Sequence, residues 1–356
     1  NGQVFTGRDA WDKKMELSES CEYISSVKTI LDEDIVYNIA GKEWTPIDIA
    51  AELFKSLSNN VKERTGIALS SATVAIPVGF SSEKRRKLRL AAKRAGLDIS
   101  SFITEPTAAF FANYEELKSS SIVAVFDWGG GTLDVSVLQN SKGKISELAT
   151  AGTNIAGDYI DLKIAQRIHA KIARKKGKEI AFADMPASAQ DMMLVRAERA
   201  KRALCDDDTA TISINSYGSF GACREILEYD WFADIVEPEV NMAMDCLKKA
   251  IDQSGVGVAN IDRIVLVGGS SNLKPLIDRM DKAYGEKLYF PEETMWNVGE
   301  GAARLNMTPG YYYSNQSIGI VLSDNSYFEL LGKDTPLDKW SKECHFGIVD
   351  SNKEAR

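Results

Sequence analysis

The sequence predicts an α/β fold built from two or more lobes. Its 356 residues exceed the size at which a single hydrophobic core keeps growing. Helical and strand-like patterns alternate through most of the chain, which is typical of α/β proteins. A glycine-rich turn follows a strand-like apolar run twice, in "AVFDWGGGTLDVSVL" and in "RIVLVGGSSNL". These two similar elements indicate two related α/β halves.

Composition limits the partners and the location that we expect. The formal net charge is -8 with acidic and basic residues interspersed, which argues against nucleic acid or an anionic membrane as the main partner. The five cysteines are scattered with no C-x-x-C pair, so we expect reduced thiols and a cytoplasmic location. No apolar stretch approaches the roughly 20 residues of a spanning helix, and no signal peptide opens the chain.

The first third of the chain alternates between predicted helices and strands. Apolar residues four apart predict an amphipathic helix over residues 46–64, with Pro46 in its first turn. The strand "ATVAIP" follows, and then a basic helix over residues 84–95 that ends at Gly96. Pro106 lies near the start of the next predicted helix, "EPTAAFFANYEEL".

The same alternation continues through the middle of the chain. "AVFDWGGGTLDVSVL" predicts a β-hairpin, and a further strand turns through Gly157 into a helix with a basic end. Helices are predicted over residues 185–204 and 231–253, and "TATISINSYG" alternates like a strand between them. From Tyr311 onward, short and turn-rich strands such as "SIGIVL" and "YFELLG" predict a separate β segment.

The three consecutive glycines from Gly129 to Gly131 have two interpretations. One is a tight hairpin turn, since glycine tolerates positive φ. The other is an anion site, because unshielded N–H groups in a glycine-rich turn point at an anion, usually phosphate. Asp127 and Asp134 flank the turn as candidate metal ligands. The hairpin alone does not decide between the two interpretations.

Four ordered sequence blocks resemble segments of a known family. "FITEPTAAFFANY", "AVFDWGGGTLDVSVL", "AERAKRAL" and "RIVLVGGSSNL" occur here in the order found in the heat-shock-seventy (DnaK-like) chaperones, within the actin-like ATPase superfamily. The resemblance implies two actin-like (ribonuclease H-like) lobes around a nucleotide cleft, followed by the start of an all-β peptide-binding domain. It places lobe I at residues 1–118, lobe II at residues 119–306, and a linker with a partial β-sandwich segment at residues 307–356.

The resemblance also assigns residues around the phosphates. The residues that match the family's second phosphate loop are Gly129, Gly130, Gly131 and Thr132, and we count Thr132 among the catalytic residues. Asp127 would act on the magnesium shell, and Glu105 would reach the metal through water. Lys28 falls where the family places the lysine that orients the attacking water and neutralises phosphate charge. Without the resemblance, a glutamate at a helix start is commonly a cap, and a lone lysine is usually surface.

A second set of residues would hold the nucleoside. Glu198, Lys201 and Arg202 have i, i+3, i+4 spacing, which puts them on one helix face. In the family this face grips the ribose and stacks an arginine over adenine, whereas a solvated charged face is the alternative. The turn that would admit the nucleoside close to the backbone consists of Gly268, Gly269 and Ser270. The alternative is a purely structural turn, because buried strand-to-helix turns commonly contain glycine.

Several positions depart from the family pattern. The family's first phosphate loop, which begins D-x-G-T-T, does not occur in this sequence. Asn272 stands where the family has an adenine-facing arginine, and "ETMW" replaces N-P-D-E ahead of Gly301. Trp128 replaces an aliphatic residue and is expected to crowd the glycine loop. Pro77 and Arg85, by contrast, match positions that couple the nucleotide lobes to the peptide domain.

The sequence therefore predicts the ATPase domain of a divergent DnaK-like chaperone. It would bind ATP or ADP with Mg²⁺ and hydrolyse ATP to control peptide holding, with unfolded or extended peptide clients and co-chaperones as partners. A nucleotide-binding pseudo-ATPase with little turnover is the alternative that the substituted positions leave open. A filament-forming actin relative is disfavoured by the β-rich tail, and no signature points to the small-molecule phosphate acceptor of a sugar kinase.

Overall fold

A computed structural model describes residues 3–7, 9–10, 13, 24, 26–39, 41–292, 296–307, 311–337 and 343–346. Its helices are α1 (Pro46–Thr65), α2 (Ser82–Arg94), α3 (Glu105–Ala112), α4 (Tyr114–Leu117), α5 (Gly157–Lys175), α6 (Ala187–Ala203), α7 (Tyr229–Ser254), α8 (Lys274–Tyr284) and α9 (Asn297–Met307). Its strands are β1 (Tyr37–Ile39), β2 (Lys42–Trp44), β3 (Ser71–Ile76), β4 (Asp98–Thr104), β5 (Ile122–Trp128), β6 (Leu133–Ser141), β7 (Lys144–Thr153), β8 (Thr209–Ile214), β9 (Cys223–Glu228), β10 (Arg263–Val267), β11 (Leu288–Tyr289), β12 (Tyr312–Tyr313), β13 (Ile318–Val321) and β14 (Tyr327–Leu331).

The largest sheet is mixed and has the strand order β11-β10-β5-β6-β7-β12. Strands β5, β6 and β7 pair antiparallel, which confirms the predicted hairpin, while β10 and β11 run parallel to β5. Strands β3 and β4 form a separate parallel pair, and β8 and β9 form an antiparallel one. The protein is therefore a mixed α/β protein, as the alternating patterns predicted.

Strand β5 is buried on both faces and separates two hydrophobic clusters. Ala124, Phe126 and Trp128 pack with α5 and α7 on one side, while Val123 and Val125 pack with α3 on the other. Because its side chain points into the first cluster, Trp128 does not crowd the glycine loop, and the expectation of crowding is wrong. The indole N–H of Trp128 donates to the Ile155 carbonyl oxygen at 3.3 Å.

The N-terminal boundaries of α1 and α2 follow capping residues. Thr45 and Asp48 form a capping box ahead of Pro46, and the left-handed Gly66 ends α1. Helix α2 begins at Ser82, two residues earlier than predicted, because the Ser81 hydroxyl accepts from the Lys84 N–H.

The predicted single helix "EPTAAFFANYEEL" is instead two helices, α3 and α4, that meet at Asn113. The Asn113 side-chain amide donates to the Ala109 carbonyl oxygen at 2.9 Å and to Asn297 on α9. Helix α9 also lies very close to α3, since a Cβ at Gly301 would fall 1.6 Å from the Ala108 carbonyl oxygen. These contacts fix α3, whose first residue is the site candidate Glu105.

The tail begins on the main sheet. Strand β12 pairs in parallel with β7, and the Asn315 side chain donates to the Glu147 backbone carbonyl. Strands β13 and β14 then form a two-stranded antiparallel sheet, so both predicted strands are present. Residues 343–346 are not a strand, and the rest of the predicted strand "ECHFGIVD" lies outside the described residues. The two-lobe layout, the domain boundaries and a β-sandwich stay predictions. No helix among the described residues is long and apolar enough to span a membrane.

Candidate functional site

The site is built around the glycine turn between β5 and β6. Asp127 and Asp134 are paired in register on the two strands, and the Gly129 N–H donates to the Thr132 carbonyl oxygen at 2.9 Å. Within the described part of the chain, the N–H groups of Gly130 and Gly131 donate to no other residue, and both glycines are accessible to solvent. This arrangement is what an anion-binding turn requires.

Two further turns converge on the same backbone. The Gly129 carbonyl oxygen accepts from the Gly157 N–H at 3.1 Å and from the Ser270 hydroxyl at 2.8 Å. A Cβ at Gly157 would lie 2.7 Å from that hydroxyl oxygen, so only glycine permits the approach. Gly268 has φ +83°, and a Cβ there would lie 2.5 Å from the Trp128 carbonyl oxygen. Glycine is therefore required by close packing of the three turns.

The predicted nucleoside turn consists of Gly268, Gly269 and Ser270. Ser270 is buried and connects this turn to the glycine turn at Gly129. Gly269 begins a short 3-10 helix that includes Asn272, and no atom lies within 4 Å of a Cβ built at Gly269. The open space lies at the end of β10, beside the first turn. The structure thus brings Gly268, Gly269 and Ser270 next to the predicted phosphate loop.

Asp127 and Asp134 are both buried, and both have raised pKa values. The pKa of Asp127 is raised from 3.8 to about 7, first by burial and then by the Glu105 and Asp134 carboxylates, while Lys28 opposes the rise. The pKa of Asp134 is raised to about 6, mainly by burial with a further contribution from Glu105, while Thr132, the Val78 N–H and Lys28 oppose the rise. Two neighbouring carboxyl groups of this kind are typical of functional sites.

One oxygen of Asp134 has no hydrogen-bond partner. Its Oδ1 atom accepts from the Val78 N–H at 2.8 Å, whereas Oδ2 is buried and unpaired among the described residues. A buried carboxylate oxygen without a donor is costly in free energy. It therefore fits a position that a water molecule or a hydrated cation would satisfy.

Lys28 and Glu105 lie together beside these acids. The Lys28 Nζ atom is 2.9 Å from Glu105 Oε1, with the glutamate side chain mostly buried and the lysine 40 % exposed. Thr29, the next residue, lies over the turn, 3.8 Å from a Cβ built at Gly131. The structure thus brings Lys28 and Glu105, which are distant in the sequence, next to the segment that contains Asp127 and Thr132.

The predicted nucleoside face on α6 is only partly as expected. Arg202 and Glu198 form an ion pair of 2.7 Å, and the Arg202 side chain is 73 % exposed. Lys201 instead points inward, where its Nζ atom lies 2.9 Å from Asp161 and 3.1 Å from the Gly157 carbonyl oxygen. The prediction of one shared helix face is therefore confirmed for Glu198 and Arg202. Lys201 instead contacts the Gly157 turn through its buried ammonium group.

Sequence reasoning missed the residues at the start of α5. The Asp158 N–H donates to the Gly130 carbonyl oxygen at 2.8 Å, and its carboxylate accepts from the Ser26 hydroxyl at 2.9 Å. Asp161 pairs with Lys201, and burial raises the pKa of Asp161 to about 6 while that lysine lowers it. The available signal was "AGDYID", in which a glycine begins the helix and two acidic residues follow one turn apart.

No group of three or more His, Cys, Asp or Glu side chains among the described residues is arranged to hold a metal ion directly. Metal contact by Asp127, and by Glu105 through water, stays a prediction. The unpaired Asp134 oxygen and the raised pKa of Asp127 show where positive charge is lacking.

The mixed sheet and the converging glycine turns define an α/β protein with its candidate site at the ends of β5 and β10. The family model described as Hsp70 protein matches residues 4–303, so the chain belongs to the Hsp70 family. This confirms the resemblance carried by the four sequence blocks. The family's domain is a chaperone ATPase module that binds nucleotide, and membership implies peptide clients and co-chaperones in general.

Proposed function

We propose that this chain binds Mg-ATP between two actin-like lobes and hydrolyses it to control how tightly a peptide is held. The observation that carries the proposal is the meeting of Lys28, Glu105 and Asp127 at a glycine turn with free N–H groups. Membership of the Hsp70 family supports the nucleotide as the ligand.

The phosphate end of the nucleotide is assigned to the first turn. The N–H groups of Gly130 and Gly131 would donate to phosphate oxygens, and the Lys28 ammonium would neutralise negative charge that develops during transfer. Asp127 is buried next to that turn with its pKa raised to about 7 in the ligand-free chain, and positive charge bound there would favour its ionised form. Thr132 lies beside Asp134 and lowers the pKa of that carboxyl group.

The acidic cluster fits a hydrated magnesium ion. Asp127 would hold it, and Glu105 and the unpaired Asp134 oxygen would accept hydrogen bonds from its waters. When bound, the ion would supply charge that stabilises the phosphate oxygens. It would also remove the mutual repulsion of the Asp127 and Asp134 carboxylates.

The nucleoside is assigned to the opposite side of the turns. The exposed Arg202 guanidinium is planar and free to stack on a base, while Glu198 holds it in place at 2.7 Å. Gly269 leaves open space next to the backbone, and Lys201 supports the Gly157 turn rather than contacting the ribose directly. We also infer a cytoplasmic location from the scattered cysteines.

A pseudo-ATPase that binds nucleotide with little turnover is the second candidate. The 2.9 Å ion pair between Lys28 and Glu105 favours it, because a lysine held by a carboxylate has less charge to offer a phosphate. Both candidates predict nucleotide binding, and only the first predicts turnover.

Turnover of Mg-ATP by the purified chain tests the proposal. We expect Lys28→Ala to lower turnover on the order of 100-fold, in line with the loss of one preorganised electrostatic group. Lys62→Ala, at an exposed position of α1, is the matched control and should leave turnover unchanged. Near-normal turnover in Lys28→Ala would show that the role given to this lysine is wrong, and nucleotide binding without turnover in the unmodified chain would favour the pseudo-ATPase.

A further inference from the structure

The half-buried side chain of Glu147, on strand β7, accepts hydrogen bonds from residues next to the site acids. The Glu147 Oε1 atom accepts from three hydroxyl groups, those of Thr104 at 3.0 Å, Thr107 at 2.8 Å and Ser136 at 2.7 Å. Thr107 and Ser136 are completely buried. Because the acceptor is a carboxylate, these bonds are charge-assisted and stronger than bonds between neutral groups.

The three donors come from the two elements that carry the site acids. Thr104 precedes Glu105 at the start of α3, and Thr107 lies in the first turn of that helix. Ser136 lies two residues after Asp134 on β6, so both side chains are on the same face of the strand. One glutamate oxygen therefore joins the helix turn that bears Glu105 to the strand that bears Asp134.

The start of α3 depends on this oxygen. Thr104 occupies the position before the helix, but its hydroxyl makes no capping bond to the helix backbone. That hydroxyl faces Glu147 and the Thr107 hydroxyl, which is 2.8 Å away. Without Glu147, the buried hydroxyls of Thr107 and Ser136 would lose this acceptor, and the helix turn would lose its link to β6.

We propose that Glu147 is a positioning residue, whose carboxylate fixes Glu105 relative to Asp134 and Asp127. The inference rests on the proposed function, since it gives Glu147 a part in turnover without any contact with the nucleotide. A shift of about 1 Å in a group that positions the reacting atoms costs up to roughly 100-fold in rate. We therefore expect Glu147→Ala to lower kcat about 10- to 100-fold, with KM changed much less.

Amide hydrogen exchange on the nucleotide-free chain tests the positioning independently of activity. The amides of Ala109 and Phe110 bond back to the first turn of α3, so they report the opening of that turn. We expect Glu147→Ala to accelerate their exchange about 10-fold. Glu147→Gln keeps an acceptor oxygen at the same place and should restore both slow exchange and kcat. Glu63→Ala, at an exposed position of α1, is the matched control and should change neither.

Each outcome decides a separate point. Unchanged exchange in Glu147→Ala would overturn the proposal, and so would faster exchange with an unchanged kcat, because Glu147 would then only stabilise the helix. If Glu147→Ala does not fold, Thr107→Val removes one of the three bonds and must show the same change at smaller size. Absence of turnover in the unmodified chain would refute the proposed hydrolysis, and the exchange comparison would still decide whether Glu147 holds the helix.

Discussion

Buried acids are treated in two different ways in this molecule. Away from the site, Glu239 lies 2.6 Å from the Lys163 ammonium, and Glu225 lies 2.6 Å from Lys175, so each buried carboxylate has a cation. At the site, Asp127 is equally buried, yet its nearest charged neighbours are mostly other carboxylates, and its pKa is raised to about 7. The protein neutralises its structural acids and leaves the site acid without direct compensation.

The difference shows what the site lacks. The nearby lysine, Lys28, bonds to Glu105 and not to Asp127, and one oxygen of Asp134 has no donor in the part of the chain that the structure describes. Such an arrangement costs stability in the ligand-free protein and is retained where a ligand supplies the missing charge. The proposed magnesium ion would supply it. The comparison therefore predicts opposite effects for substitutions in the two regions.

The largest effect is expected from Asp127→Asn on stability, measured without nucleotide or metal. A raised pKa means that the folded state holds the proton more tightly than the unfolded chain, so stability falls as pH rises between about 4 and 7. A rise in pKa from 3.8 to about 7 lowers the free energy of unfolding by at most roughly 4 kcal/mol, and the full loss is reached above pH 7. Asp127→Asn should therefore be more stable than the unmodified chain at pH 8, and the gain should disappear below pH 4.

Urea unfolding at pH 4 and pH 8 in the presence of a chelator measures this. Asp252→Asn, at an exposed position of α7, is the control and should change the unfolding free energy by less than about 0.5 kcal/mol at either pH. A gain in Asp127→Asn that is the same at both pH values would contradict the electrostatic explanation.

Glu239→Ala should lower the free energy of unfolding, whereas Asp127→Asn should raise it. Removing one partner of a buried ion pair leaves the other charge uncompensated, which costs roughly 3–5 kcal/mol, and the partly exposed Lys163 places this case at about 3 kcal/mol. Unfolding at pH 7 measures the loss, and ATP turnover per folded molecule should be unchanged. If Glu239→Ala were as stable as the unmodified chain, the distinction between structural and site acids would fail.

The sequence predicted secondary structure correctly where local pattern decides it. The apolar runs on both sides of the glycines in "AVFDWGGGTLDVSVL" predicted a β-hairpin, and β5 and β6 form it. Asn113 divides a predicted helix in two because its side chain bonds to Asn297, which lies far away in the sequence. The cap at Ser81 is local, because its hydroxyl accepts from an N–H only three residues later.

Most of the site could not be read from local pattern. The contact of Gly157 and Ser270 with one carbonyl oxygen is tertiary, and no spacing encodes it. Helical spacing placed Lys201 with Glu198 and Arg202, but it carries no information about Asp161, whose buried carboxylate draws the lysine inward. Family resemblance supplied the remaining assignments, and their roles stay predictions.

Asp127→Asn should also lower ATP turnover on the order of 100-fold, equivalent to about 2.7 kcal/mol of transition-state stabilisation. This sharpens the comparison, because the same substitution would stabilise the fold at pH 8 and remove activity. Steady-state turnover at pH 8 measures it, with Asp252→Asn as the control. Retained activity in a stabilised variant would mean that the uncompensated acid has no part in hydrolysis.

The smallest effect is expected from Arg202→Ala, which tests a third kind of charged group. The Arg202 side chain is 73 % exposed and pairs with Glu198 on the same helix, and exposed pairs of this kind contribute little to stability. We therefore expect an unchanged unfolding midpoint together with about 10-fold weaker binding of both ATP and ADP, because loss of stacking on the base affects both nucleotides alike. Calorimetric titration of the two nucleotides measures the affinities, and Arg199→Ala on the neighbouring position of α6 is the matched control. Equal affinities in Arg202→Ala and the unmodified chain would rule out stacking. Weaker binding of ATP alone would indicate that Arg202 contacts the phosphates and not the base.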